Sequence, residues 1–324
     1  MKRLIRKLLL SILSIALSAV MLGTVTYAWI TMTNKNFLDG LVLNVSSGAK
    51  LEVSLDGVTY YNKLPTEIIS EHFSGLKICD VTSFDGLNFS AGGPLVFREA
   101  VPNVDYISLT IWIRSTGTER NVFLVDNVSE LVQYDIDLDG TYVISRGVDW
   151  KADKTFINGI NAIEDIVHEG ENDVYYASDA VRIAFLEQIN ENNPLDSRSP
   201  DSLQKVIIDL SGNPLRGYGV PYGALDYASR RIGLEIQAPL EKPAVVNELT
   251  EFTSQYSSEP LDENSKIMEL IGSAEKDNSG KTFYTGKVIV NIWVEGWDAD
   301  CFDAILDDMI RMQLKFRTGK SITL

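Results

Sequence analysis

The sequence predicts an all-β fold, an antiparallel β-sandwich with a few short helical insertions, preceded by an N-terminal signal or anchor helix. Three observations predict it. Roughly a dozen short segments alternate apolar and polar residues with period two, as half-buried strands do. Turn residues separate them, and helical periodicity is confined to three brief stretches. The first thirty residues differ from the rest, with a basic start followed by an uncharged apolar run.

That start is Met1-Lys2-Arg3-Leu4-Ile5-Arg6-Lys7, four cations and no acid, and Leu8 to Ile30 then pass without a charged side chain. Basic residues stay on the cytoplasmic side of a bilayer while the apolar run partitions into it. The run ends in Thr26-Tyr27-Ala28, the small-x-Ala pattern after which signal peptidases cut, which would leave Trp29 as the new N-terminus. Retention as an anchor is the alternative, since about 20 apolar residues span a membrane. In either case residues 29–324 are expected outside the cytoplasm, secreted or at the cell surface, touching the membrane only through the N-terminal segment. The secretion machinery and signal peptidase are the implied partners.

Four of the 29 basic residues lie in residues 1–28, leaving 25 against 45 acids, a charge of −20 for the rest. A nucleic-acid partner would need a basic footprint, so it is excluded as an expectation. Self-repulsion suits a soluble extracellular surface. The two cysteines, Cys79 and Cys301, are a candidate disulfide in an oxidising compartment, where so long a loop stabilises by about 4–5 kcal/mol. A buried free thiol at Cys301 is the other reading.

Along the chain, Leu51, Val53 and Leu55 alternate with polar residues, Asp56-Gly57 supplies a tight turn, and Val58 and Tyr60 resume the alternation. Tyr106 to Arg114 puts four aliphatic residues on one face. Further strands are expected at 41–45, 120–126, 130–136, 141–145, 181–187, 205–210 and 231–237. Lys287 to Val294 is apolar on both faces and reads as a central strand, whereas 310–316 alternates with Arg311, Gln313 and Lys315 and reads as half-exposed. Helices are expected at 65–73, behind Pro65, at 262–272, and at 298–308 behind a capping Asp298. No Gly/Ser- or Pro-rich linker divides residues 29–324. They read as one domain, with loop insertions at about 149–180 and 190–230 over the sandwich ends.

No catalytic motif emerges. There are two histidines, His72 and His168, and His168-Glu169-Gly170-Glu171 lacks the second histidine of a zinc-protease helix. No G-x-S-x-G elbow exposes a serine. Asp135, Asp137, Asp139 and Gly140 match the start of an EF-hand loop and make calcium a candidate, but Arg146 stands where the bidentate acid belongs. A solvated strand edge ending in an Asp-Gly turn accounts for the same residues. No other cofactor is implied. Gly217-Tyr218-Gly219-Val220-Pro221-Tyr222-Gly223 has the wrong spacing for a phosphate loop, and its tyrosines could anchor an adhesive contact. Ile292-Trp293-Val294-Glu295-Gly296-Trp297-Asp298-Ala299-Asp300-Cys301 reads as two tryptophans sealing the sandwich where a helix leaves it.

The basic start, the Leu/Ser/Ala/Gly run with its Tyr27-Ala28-Trp29 exit, and the closing segment from Ile292 to Ile305 before a final strand resemble the TasA/camelysin family of Gram-positive surface and biofilm-matrix proteins. The likeness covers residues 1–60 and 285–316. It implies a jelly-roll sandwich, processing by a dedicated signal peptidase, and matrix fibres in which the N-terminal segment of one subunit adds a strand to the next. Residues 29–37 suit that role, because Trp29, Ile30, Thr31, Met32 and Thr33 begin an alternating strand that an open sheet edge can pair. A protease activity described for camelysin is not implied here, for want of a zinc motif. The expectation is a non-enzymatic structural protein, with a monomeric surface-binding module as the alternative and an enzyme of unrecognised type third.

Overall fold

The computed structural model describes residues 35–45, 51–64, 77–92 and 98–322. Nineteen strands, numbered in chain order, are built among them. One layer contains β1 (Lys35–Val45), β7 (Asn121–Leu124), β8 (Tyr142–Ser145), β16 (Lys266–Glu269) and β19 (Met309–Gly319). The other contains β2 (Leu51–Ser54), β3 (Lys77–Thr82), β4 (Ser90–Ala91), β5 (Arg98–Glu99) and β6 (Ile107–Ser115). With these run β13 (Val181–Gln188), β14 (Lys205–Ile208), β15 (Val245–Val246), β17 (Ile271–Lys276) and β18 (Thr282–Glu295). Two ribbons complete the set, β9 (Val148–Lys151) with β12 (Asn172–Tyr175), and β10 (Phe156–Ile157) with β11 (Ile166–Val167). The fold is all-β, as the period-two pattern predicts.

β18 is the central strand that its apolar faces announced. It pairs antiparallel with β13 from Lys287 to Val294 and with β6 from Tyr284 to Ile292. β19 holds the same place in the first layer, parallel to β1 on one side and antiparallel to β7 and β8 on the other. β3 joins the layers at one end, antiparallel to β1 and parallel to β18. Leu41, Leu43, Leu314 and Phe316 of one layer pack into a single core with Ile111, Ile183, Phe185 and Val290 of the other. Phe185 meets Phe316 edge-on across that core, centroids 6.3 Å apart.

Several expectations give way. Segment 130–136 is a turn with a short 3₁₀ element at Ser129–Leu131, because 142–145 takes the place beside β19. Segment 262–272 forms β16 and the start of β17; pairing with β7 and β18 outweighs its helical stripe. At 298–308 only Asp303–Ile305 turns helically, since Asp298 turns inward to an arginine. Segment 231–237 contains no strand. Instead α1 (Ala224–Ile232) buries Ala224, Tyr227 and Ala228 and ends at left-handed Gly233. Insertion 149–180 holds the two ribbons, and 190–230 holds β14 and most of α1. The helix expected at 65–73 lies outside the described residues. So does the segment from 1 to 34.

The strand expected to be half-exposed is almost wholly buried. Gln313, Lys315 and Arg317 on β19 are each less than a tenth exposed, because loops 126–140 and 252–258 close over them.

Two turns share one construction. In Ser54-Leu55-Asp56-Gly57, the Asp56 carboxylate accepts the Val58 and Thr59 amides and the Ser54 hydroxyl, which holds it well below the usual carboxylate range. In Ser83-Phe84-Asp85-Gly86, Asp85 accepts the Leu87 and Asn88 amides in the same way. Gly86 is left-handed, and a Cβ there would lie 2.5 Å from that of Ala184. The repeated Ser-x-Asp-Gly string was there to be read and signals close approach of each turn to its sheet.

Candidate functional site

The string 292–301 runs from the end of β18 into a knot of buried charge. Arg182 on β13 reaches Asp209 at 3.0 Å, forms a closer pair with Asp298, and donates to the Val181 carbonyl at 2.9 Å. All three charged residues are at most 2% exposed. One guanidinium is shared between two carboxylates, so a proton is the natural third party. Burial pushes Asp298 up to about 8 against the opposing pull of Arg182. Burial, with the Asp300 charge nearby, likewise pushes Asp179 up to about 7. Glu295 is raised by burial too, while its carboxylate accepts Trp293 Nε1 at 2.9 Å and the Trp297 amide at 3.1 Å.

The glycine-rich loop docks on this knot. Gly219 donates to the Trp297 carbonyl at 2.7 Å, and Ala224 to that of Ala299 at 2.7 Å. Gly223 donates to Ile157 at 2.8 Å, and Arg216 clamps Asp300 at 2.7 Å while binding the Asn158 carbonyl. Three segments singled out in the sequence, 292–301, 217–223 and the insertion around 150–175, are thus brought together. Below them Trp150, Phe156, Tyr175, Tyr227 and Phe302 form an aromatic satellite core with centroids 5.2–6.4 Å apart. Every carboxylate of the knot is engaged from within the chain. The knot fastens the insertions to the sheet; of the two tryptophans expected to seal the sandwich, Trp293 is 1% exposed and Trp297 is half-buried.

Two of the residues considered for catalysis can be placed. His168 is exposed in the turn between β11 and β12, while Cys301 is buried in the main core. His72 lies outside the described residues. The backbone of Cys79 pairs with Lys35, but its side chain lies outside the description, and the expected Cys79–Cys301 bridge with it.

The calcium candidates find protein cations. Asp137 pairs with Arg311, and Asp139 meets Lys315 Nζ at 2.9 Å, with Asp126 at 3.0 Å on the same ammonium. Asp135 is not drawn into these pairs. Arg311 also binds the Tyr134 carbonyl, and Gln313 donates to Leu138 and Gly140. The segment is a strap tied across β19 by Arg311, Gln313 and Lys315. Among the described residues no three His, Cys, Asp or Glu side chains are grouped to hold a metal.

β1 is paired on both sides. One side pairs with β19 from Phe37 to Val45, and the other meets β3 only at Lys35, Asn36 and Phe37. A bridge from Asn44 to Lys63 closes the far end. Between them, the positions that continue the β3 register opposite Leu38 to Val42 lie outside the described residues. A bulge at Leu38/Gly40 interrupts the register there. Residues Ala28, Trp29, Ile30, Thr31, Met32 and Thr33 lie outside the described residues, but they lead directly into this strand. The expected donor span 29–37 is corrected at its end: 35–37 belong to the chain's own sheet, leaving 29–34.

Comparison with family models, with curated proteins and with solved structures finds no match.

Proposed function

We propose that the protein is an exported, non-enzymatic structural component of the cell surface or extracellular matrix, self-assembling by strand donation. The observation that carries the reading is the alternating segment 29–34, continuous in sequence with β1 of the main sheet. An open sheet edge on another copy is a template that such a strand can pair. Six extended residues span about 20 Å, enough to pair about five residues of a neighbouring strand. The signal-like start supplies the means of release, because cleavage after Ala28 would free Trp29 and the strand behind it. The likeness to the TasA/camelysin family points the same way.

Electron microscopy of the purified protein starting at Trp29, beside a version starting at Lys35, tests the reading. Fibres in the first and not the second are expected, and monomers in both across pH and salt would refute assembly. N-terminal sequencing of the exported protein is the companion measurement: a Trp29 start frees the strand, whereas an intact Met1 tethers it.

A monomeric surface-binding module is the second reading. The turn 158–165 is tied by Asn158–Asp165 and Asn161–Asp165 hydrogen bonds yet leaves Ile160 66% and Ile163 84% exposed. Rigidly held exposed aliphatic residues favour a contact surface. Retention of cell-surface adhesion by a monomer, and its loss in I160S/I163S, would support this reading over assembly.

A further inference from the structure

A cleft of about 670 Å³ opens between the turn at 126–127 and the loop 247–264, and Arg317 of β19 lines it. Two arginines are less than a tenth exposed among the described residues. Arg182 has two carboxylates; Arg317, 8% exposed, has none within 4.0 Å among the described residues. Its Nη2 donates to the carbonyls of Ser254, at 3.2 Å, and Ser257. Its guanidinium lies over the Phe252 ring at 4.1 Å, and Phe252 stands edge-on to Phe123 at 5.5 Å. Nε and Nη1 make no hydrogen bond among the described residues, and neither is sealed from solvent. Burial with so little compensation lowers the guanidinium below its ordinary value. A buried charge is ordinarily paired. Here the paired carboxylate is missing in a chain that has acids to spare.

The rest of the lining has the opposite character. Glu248 and Glu251 are exposed, and their side chains take no hydrogen bond or ion pair among the described residues. The wall behind them is fixed, since Thr250 and Ser265 exchange hydrogen bonds and Asp262 accepts from Thr250 Oγ1 at 2.8 Å. Asp126, held in a left-handed conformation at φ 59°, turns its carboxylate to Lys315. A simple anion would meet Glu248 and Glu251 in the same cleft, on a surface already strongly negative. A simple cation would meet Arg317 inside. A molecule that carries both charges satisfies both.

The geometry points to a binding site for a cationic zwitterion, its carboxylate on Arg317 and its ammonium or guanidinium on Glu248 and Glu251. A free basic amino acid and the C-terminal basic residue of a peptide share this chemistry. The cleft volume falls within the range of small-molecule sites and admits either.

Calorimetric titration of the purified protein with L-lysine, with Ala-Ala-Lys and with the C-terminal amide of Ala-Ala-Lys tests the site. Saturable binding of at least one free carboxylate is expected, with L-lysine and the tripeptide separating the two sources. The amide should bind Ala-Ala-Lys's site at least about tenfold more weakly, the usual worth of a charge-assisted hydrogen bond. R317Q should show the same loss toward the free acid, and E248Q/E251Q a loss for lysine-bearing probes with an unchanged thermal midpoint. No saturable binding of L-lysine or Ala-Ala-Lys at millimolar concentration overturns the assignment. So does equal binding of a free acid and its amide. If R317Q does not fold, the free-acid probes and the amide on the unaltered protein decide alone.

Discussion

Replacing Arg182 by methionine isolates the energetics of the buried knot. The guanidinium is 2% exposed and shared between Asp209 and Asp298, themselves 1% exposed. Methionine keeps much of the volume but leaves two carboxylates buried with no cation. Breaking a buried pair by removing one partner costs about 3–5 kcal/mol, and this is the loss expected in urea denaturation near pH 8. The cost is pH-dependent in a definite sense. Without Arg182, Asp298 loses the cation that opposes its burial and rises further above the ordinary value of 3.8, so the folded state binds a proton that the unfolded state releases. Stability contributed by the neutral acid is full below that value and is lost as pH rises through the folded value. R182M should therefore approach the parent near pH 5 and fall away toward pH 8. Adding D209N and D298N removes the stranded charges and should recover most of the loss, since a neutral replacement of a buried ion pair is often close to neutral in stability. A loss below about 1 kcal/mol with no pH dependence would refute the argument, because hydrated surface pairs behave that way.

Two further outcomes follow from the same region. Burial pushes Asp179 from 3.8 up to about 7, so its contribution is full below about pH 4 and lost by about pH 7. D179N should flatten that slope and exceed the parent by about 2 kcal/mol near pH 8, roughly half of the 4 kcal/mol that three pH units represent, since water reaches part of the side chain. Parallel denaturation curves for parent and variant across pH would contradict this. Gly223 has φ 63°, and a Cβ there would lie 2.2 Å from the Ala299 carbonyl oxygen. G223A should cost about 3 kcal/mol or speed amide exchange at Ala224 and Tyr227; no change in either would mean that the loop is not docked on 292–301.

The candidate site was legible only in pieces. Residues 292–301 and 217–223 were conspicuous, one for its tryptophans and one for its glycines, but nothing in either named the other. Their meeting depends on a backbone bond between Gly219 and Trp297, 78 positions apart, and no local pattern carries such information. Arg182 was hidden for a related reason. It sits in an expected strand where one charged residue looks solvated, and its partners Asp209 and Asp298 lie 27 and 116 positions away. The acids at 135–139 were visible as a group, but their cations stand on the last strand.

The sequence by itself determined the all-β class, the central place of 287–294 and most of the strands, because period-two burial is a local property of the residues that show it. It also carried the signal-like start, which depends on charge and hydropathy alone. Only the tertiary structure decided that 262–272 extends instead of coiling, since two partner strands outbid a short helical stripe. Only the tertiary structure buried the charged face of β19, by laying distant loops across it. It also decided that Lys35, Asn36 and Phe37 pair with 77–79 in their own sheet. Pairing between remote segments settles such questions, and alternation along one segment cannot state which strands will meet.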